Sequence, residues 1–215
     1  MQHDWGLTQA FFLCTVNHRG HHRAISMGNA AGLAAAAVLE LALEGAVTMT
    51  NGRLTVTGPL PVPHLAPVYR YIEARQPLKA RRVVEAFAIT FTNRGPDALV
   101  AAVVAPLEAT GAVTRDTSGL HGRRPRYLPN PRARDSVIRQ IRTEFLEGGA
   151  LSDEVVILAA LLDRIDGLSQ FFPPYERQML RAQLREIRAH PASETAAGMI
   201  RCVEELVIMT LISAT

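Results

Sequence analysis

The most regular pattern in the sequence is an apolar helical segment that leads into two short strands of alternating residues. Its first copy is a helix over residues 29–44, followed by a hairpin. The pair Asn51-Gly52 between alternating strands is a strong hairpin signal, because both residues tolerate the left-handed backbone of a tight turn. A two-residue turn at this point pairs Met49 with Leu54 across the hairpin. We therefore predict a helix-hairpin unit here.

A second copy of this unit follows later in the chain. An apolar helix over residues 97–110 ends at Gly111, as the first helix ends at Gly45. Glycine is the usual residue in the left-handed position just after a helix. Strands over residues 113–115 and 124–128 then form a second hairpin with a longer tip.

Helices account for most of the remaining sequence. We predict a first helix that begins at Leu7 with Thr8 as its N-cap, while Asn29 caps the second helix and Asn130 a later one. Further helices are expected over residues 68–75, 78–91, 131–146, 155–165, 175–190 and 194–212. The predicted fold class is mainly α, a compact helical bundle with two short β-hairpins, in a single domain over residues 1–215.

Composition is typical of a globular protein that does not cross a membrane. Hydrophobic residues make up 48% and charged residues 20% of the chain, which is enough apolar sequence for a core. The longest apolar run, Ala30–Leu39, is shorter than the ~20 residues that span a bilayer. Cys14 and Cys202 lie in apolar helices, so we expect buried thiols in a reducing compartment. We expect the protein to be cytoplasmic. Peripheral binding to the inner face of the membrane is compatible with this location.

Arginine is distributed unevenly along the chain. Lys79 is the only lysine among 23 basic residues, a bias that together with many alanines suggests a GC-rich bacterial genome. The formal net charge is +3, but the range Arg115–Arg142 has eight arginines against two aspartates and is itself +6. Such a local field attracts an anionic lipid surface or an acidic protein partner. The predicted partner or membrane patch consists of Arg115, Arg123, Arg124, Arg126, Tyr127, Arg132 and Arg134.

Two smaller groups of basic residues are candidates for binding a phosphate-type anion. They are Arg19, His21, His22, Arg23, Arg81 and Arg82. The alternative for both groups is a solvated surface, and we predict no metal site because the histidines lack a further ligand at a persuasive spacing. Glu40 lies between leucines in an apolar helix, so it is either a weak candidate for a general acid or base or a structural ion-pair partner.

Other classes of function find little support in the sequence. A helix followed by a strand pair is also the winged-helix pattern, but helices 29–44 and 97–110 contain no lysine or arginine with which to read a DNA groove. Glycine-rich phosphate loops and HExxH, CxxC or Ser-His-Asp signatures do not occur. We therefore predict no sequence-specific nucleic-acid binding and no cofactor, and we find no recognised catalytic motif.

The order of these segments resembles the Golgi phosphoprotein 3 family over nearly the whole chain. Family sequences share an ELALxG segment, present here as residues 40–45, and its distance from the turn at Gly20 matches without gaps. Residues 106–113 resemble the end of the family's second helix. Residues 157–164 and the phenylalanine pair at 171–172 follow its C-terminal layout.

This resemblance implies a mainly α-helical domain with short hairpins and a role in binding. Eukaryotic members bind phosphatidylinositol 4-phosphate at Golgi membranes and recruit glycosyltransferase tails. The positions that resemble their headgroup-binding tryptophan and arginines are Ile25, Ala34, Asp97 and Val100 here, so we expect that specific lipid site to be absent. The resemblance also implies that the second hairpin takes part in self-association and membrane contact.

Three functions from different classes remain, in this order. The first is a non-catalytic binding or adaptor protein that contacts an anionic membrane lipid or an acidic partner through the basic hairpin and the following helix. The second is a small-molecule enzyme or ligand carrier with a pocket in the helical core, near Glu40, His21, His22, Tyr69 or Tyr71. The third is an interaction subunit that forms a homo-oligomer through its hairpins.

Overall fold

The computed structural model describes residues 5–16, 27–89, 95–117, 126–189, 198 and 201–202. Helices dominate these residues, and they are α1 Leu7–Thr15, α2 Met27–Leu43, α3 Ala66–Glu73, α4 Ala80–Ala88, α5 Gly95–Ala109, α6 Pro131–Leu146, α7 Asp153–Arg164 and α8 Pro174–Ala189. The strands are β1 Val47–Thr50, β2 Arg53–Val56, β3 Leu78–Lys79, β4 Val113–Asp116 and β5 Arg126–Pro129. The predicted mainly α fold with two short hairpins is confirmed.

The first hairpin has the register that the sequence predicts. Met49 pairs with Leu54, and the turn residue Asn51 has a left-handed φ of 51°. A third strand, β3, pairs antiparallel with β2 and completes a three-stranded sheet. The sequence pattern predicts helix from residue 78, but residues 78–79 pair with β2, so α4 begins two residues later than expected.

The second hairpin pairs β4 with β5, and Arg115 lies opposite Tyr127. Its tip falls outside the described residues, so its predicted length remains a prediction. The stops before both hairpins are confirmed, since Gly45 and Gly111 have positive φ values of 69° and 71°.

The core is centred on α1 and α2. Every residue of α1 is buried, and α1 contacts α2, α5, α6 and α7. Both helices are apolar on most sides, which is typical of helices that are enclosed by others. Cys14 and Cys202 are buried, as predicted.

The starts of α1 and α2 differ from the prediction. α1 begins at Leu7 after Gly6, so the predicted N-cap Thr8 is wrong and this residue lies within the first turn. α2 begins at Met27, and Asn29 is therefore also inside the helix rather than at its cap. The side chain of Gln9 accepts the backbone N–H of Gly6 at 3.3 Å, and a side chain from a distant part of the chain accepts the N–H of Thr8.

The start of α6 is capped by a nearby side chain, as predicted. The side chain of Asn130 accepts the backbone N–H of Arg132 at 3.0 Å at the start of α6. The predicted helix over residues 194–212 lies outside the described residues except at 198 and 201–202, which are helical.

In the described part of the chain, no helix combines the length and the apolar character needed to cross a membrane.

Candidate functional site

The second hairpin ties two members of the predicted basic patch to neighbours within the protein. Arg115 donates two hydrogen bonds to Glu108 in α5, from Nε to Oε1 at 3.0 Å and from a terminal nitrogen to Oε2 at 2.9 Å. Tyr127 is buried with its ring edge-on to Phe12, at a centroid separation of 6.0 Å, and this burial raises its pKa. Both side chains therefore help to hold the hairpin against the helices, and a carboxylate already neutralises Arg115.

The arginines of α6 fall into two groups. Arg132 and Arg139 are exposed, and because they are seven residues apart they lie on one face of the helix. Neither has a hydrogen-bond or ion-pair partner through its side chain among the described residues. Arg134 is half-buried instead, with its guanidinium 5.8 Å from the Phe171 ring centroid.

The charge of Arg134 also acts on a buried thiol in α1. Burial raises the pKa of the Cys14 thiol to about 12, and the positive charge of Arg134 partly opposes this increase.

We call Arg132 and Arg139 together the α6 basic face. Arg126, in β5, lies opposite Asp116 across the hairpin and is half-buried. Arg142, further along α6, donates a 2.7 Å hydrogen bond to Glu176 in α8. Among the described residues, the most open basic side chains of this region are therefore Arg132, which belongs to the predicted patch, and Arg139, which does not. The predicted members that lie outside the described residues are Arg123 and Arg124.

Glu40 is enclosed at the junction of α1, α2 and the segment before α3. Its side chain is nearly buried, and its Oε2 atom accepts the backbone N–H of Thr8 at 2.7 Å. Its Oε1 atom lies 3.1 Å from Nε2 of His64, which is also buried. A Cβ atom added at Gly6 would overlap the carboxylate, so glycine permits this close approach. Glu40 therefore connects three segments of the fold.

The contacts of Glu40 support the structural interpretation of this residue. Both oxygens have partners inside the protein, and Oε1 accepts a hydrogen bond from His64 when Nε2 carries a proton. The carboxylate also lies at the N-terminal end of α1, where the helix dipole favours a negative charge. The arrangement explains how a carboxylate can be buried without a substrate.

The remaining candidates for anion binding are either engaged or outside the described residues. Arg81 and Arg82, in the first turn of α4, each lie within ion-pair distance of Glu85, at 3.3 Å and 3.4 Å. Within the described ranges, no three histidine, cysteine, aspartate or glutamate side chains are grouped so that they could hold a metal ion. The candidates outside the described residues are Arg19, His21, His22 and Arg23.

The two tyrosines proposed for a pocket in the core have packing roles. The hydroxyl of Tyr69 donates to the carbonyl of Gly58 at 2.9 Å. The ring of Tyr71 packs edge-on against Phe87. The guanidinium group of Arg75 lies over the same ring, 4.2 Å from its centroid. These contacts fix α3 against its neighbours.

Sequence reasoning missed two features of the structure. It gave no reason to join Glu40 to His64, because 24 residues and a proline-rich connector separate them. It also predicted α8 only as a helix over residues 175–190 and assigned it no binding role, although arginines at 177, 181, 185 and 188 recur at a helical spacing. In the structure these arginines line a groove between α7 and α8.

The positions that resemble the family's headgroup site carry no basic side chain. Ala34 is fully buried in α2, Val100 is buried in α5, and Asp97 is exposed in the first turn of α5. Ile25 lies outside the described residues. The side chains at the three described positions offer no donor with a positive charge to a phosphate group.

Comparison with known families matches most of the chain. The sequence model of the family described as Golgi phosphoprotein 3 (GPP34) matches residues 7–206. This range includes both helix-hairpin units, Glu40 and His64, and all of α6, α7 and α8. A search of curated proteins finds no match to the chain.

Proposed function

Because the chain belongs to the Golgi phosphoprotein 3 family, we propose that it is a non-catalytic binding protein that docks on anionic membrane surfaces. The observation that carries this proposal is the α6 basic face. Its members, Arg132 and Arg139, are exposed on one side of a helix and have no carboxylate partner among the described residues. Guanidinium groups of this kind are free to bond lipid phosphates.

The proposed contact is with surface charge rather than with one headgroup. Each arginine near an anionic membrane contributes about 1 kcal/mol, so that two arginines change the partition coefficient roughly thirtyfold. Ala34 and Val100, which occupy positions that resemble the family's headgroup site, are buried and apolar. Binding should therefore depend on the density of anionic lipid and on ionic strength, and little on headgroup structure.

The test compares two double variants that remove the same charge. Arg132→Gln with Arg139→Gln removes the α6 basic face, and we expect partition into phosphatidylserine vesicles to fall about thirtyfold. Arg53→Gln with Arg70→Gln is the matched control, because both arginines are exposed and lie on β2 and α3. Thermal unfolding should show that both variants remain folded.

The two pairs separate a local contact from the general effect of charge. Strong loss in the α6 variant with little loss in the control supports the proposed surface. Equal loss in both pairs would mean that only the net charge matters, and unchanged binding in the α6 variant would place the contact elsewhere. Either of these results overturns the proposal.

A further inference from the structure

A basic groove runs between α7 and α8. Its volume is about 610 Å³, and its floor includes Leu184 and Ala160. Five arginines and a single carboxylate carry the charge of its walls, which gives these side chains a formal charge of +4. They are Arg164, Arg177, Arg181, Arg185, Arg188 and Asp163.

The arginines of α8 are arranged along the groove by contacts with the protein. Arg181 donates from Nε to Asp163 in α7 at 2.6 Å, and this contact raises the pKa of Arg181. Arg185 donates from Nε to the backbone carbonyl of Arg181 at 3.2 Å, which holds its side chain against the helix. The Nε atom of Arg177 is buried and has no hydrogen-bond partner among the described residues.

This arrangement concentrates like charges in a concave surface. Guanidinium groups at this density repel one another, and the two carboxylates nearest to Arg181, Asp163 and Asp166, lie 2.6 Å and 3.9 Å from it. A buried N–H without an acceptor, as at Arg177, is also unfavourable. An anion in the groove would offset both effects, because phosphate oxygens accept several charge-assisted hydrogen bonds from arginine.

From this geometry, we propose that the groove is a binding site for a compound that carries two or more phosphate groups. The arginines of α8 extend from Arg177 to Arg188, a distance of about 16 Å along the helix axis. Charge spread over this length suits linked phosphates better than a single small anion. The site includes no residue of the α6 basic face, so it is independent of the membrane contact proposed above.

Titration calorimetry with pyrophosphate tests the site, with inorganic phosphate as the single-phosphate comparison. We expect saturable binding of pyrophosphate, weaker binding of phosphate, and about tenfold weaker pyrophosphate binding in Arg185→Ala. Arg70→Ala removes an equal charge from the exposed surface of α3 and should leave the pyrophosphate affinity nearly unchanged. Asp163→Asn keeps an oxygen for Arg181 but removes the negative charge, so pyrophosphate should bind more tightly.

A second arm distinguishes the source of the phosphate groups. Vesicles of phosphatidylcholine with phosphatidic acid test whether Arg185→Ala also weakens membrane binding. A parallel loss assigns the site to lipid phosphates, while a loss with pyrophosphate alone assigns it to a free phosphorylated compound, and both support the site. The absence of pyrophosphate binding, or equal affinity in the wild type, Arg185→Ala and Asp163→Asn, would overturn it.

Discussion

Glu40 in α2 accepts the backbone N–H of Thr8 in α1 at 2.7 Å, across 32 positions of sequence. The first-turn N–H groups of a helix lack partners within the helix and are usually bonded by a local side chain. Here a buried carboxylate from a neighbouring helix takes that role, and the same carboxylate contacts His64 at 3.1 Å. The start of α1 is therefore held by tertiary structure.

Replacement of Glu40 should destabilise the protein strongly. Glu40→Ala removes the acceptor for Thr8 and the partner of His64, both in buried surroundings. We expect a loss of about 3 kcal/mol in the free energy of unfolding. Glu40→Gln keeps the shape and one acceptor, and should cost about 1 kcal/mol. Urea denaturation measures both values, and a midpoint unchanged by Glu40→Ala would contradict the capping role.

Gly6 should be coupled energetically to Glu40. Gly6 has an ordinary backbone conformation, with φ of −65°, but an added Cβ atom would overlap Oε1 of Glu40. Gly6→Ala should therefore cost about 2 kcal/mol in the wild type. In the Glu40→Ala background the space is free, and the cost should fall to about 0.5 kcal/mol. A double-mutant cycle measures this coupling, and strictly additive effects would rule out the contact.

Cys14 should be inert to thiol reagents in the folded protein. It is completely buried, and burial raises its pKa to about 12, so almost none of it is thiolate near neutral pH. In a Cys202→Ser variant, modification of Cys14 by an aromatic disulfide reagent should be limited by the rate of unfolding. Urea above the unfolding midpoint should release full reactivity. Rapid stoichiometric labelling of the native variant would show that the thiol is accessible.

The features that follow from the sequence are those with local causes. The register of the first hairpin depends on the adjacent turn residues Asn51 and Gly52. The start of α6 depends on the side chain of Asn130, which accepts a backbone N–H only two residues away. The features that were missed depend on contacts between distant segments. Residues 78–79 pair with β2 instead of joining a helix, and the environment of Glu40 requires His64.

The candidate surfaces show the same division between local and tertiary causes. The excess of arginine around α6 is visible in the sequence. The sequence does not show which of these arginines are exposed and without a partner inside the protein. Arg115 is bonded to Glu108 and Arg134 lies over Phe171, and both contacts depend on how the helices pack. The spacing of arginines on α8 is equally visible, yet only the packing of α7 against it forms a groove.

We propose above all that this protein recognises the negative charge of a membrane surface. The most direct test is flotation of the wild-type protein with phosphatidylcholine vesicles that contain or lack phosphatidylserine, over a range of ionic strength. We predict binding only to the vesicles with phosphatidylserine, and its progressive loss as added salt shortens the screening length below about 10 Å. Binding to neutral vesicles, binding that salt does not weaken, or no binding to either composition would contradict the claim.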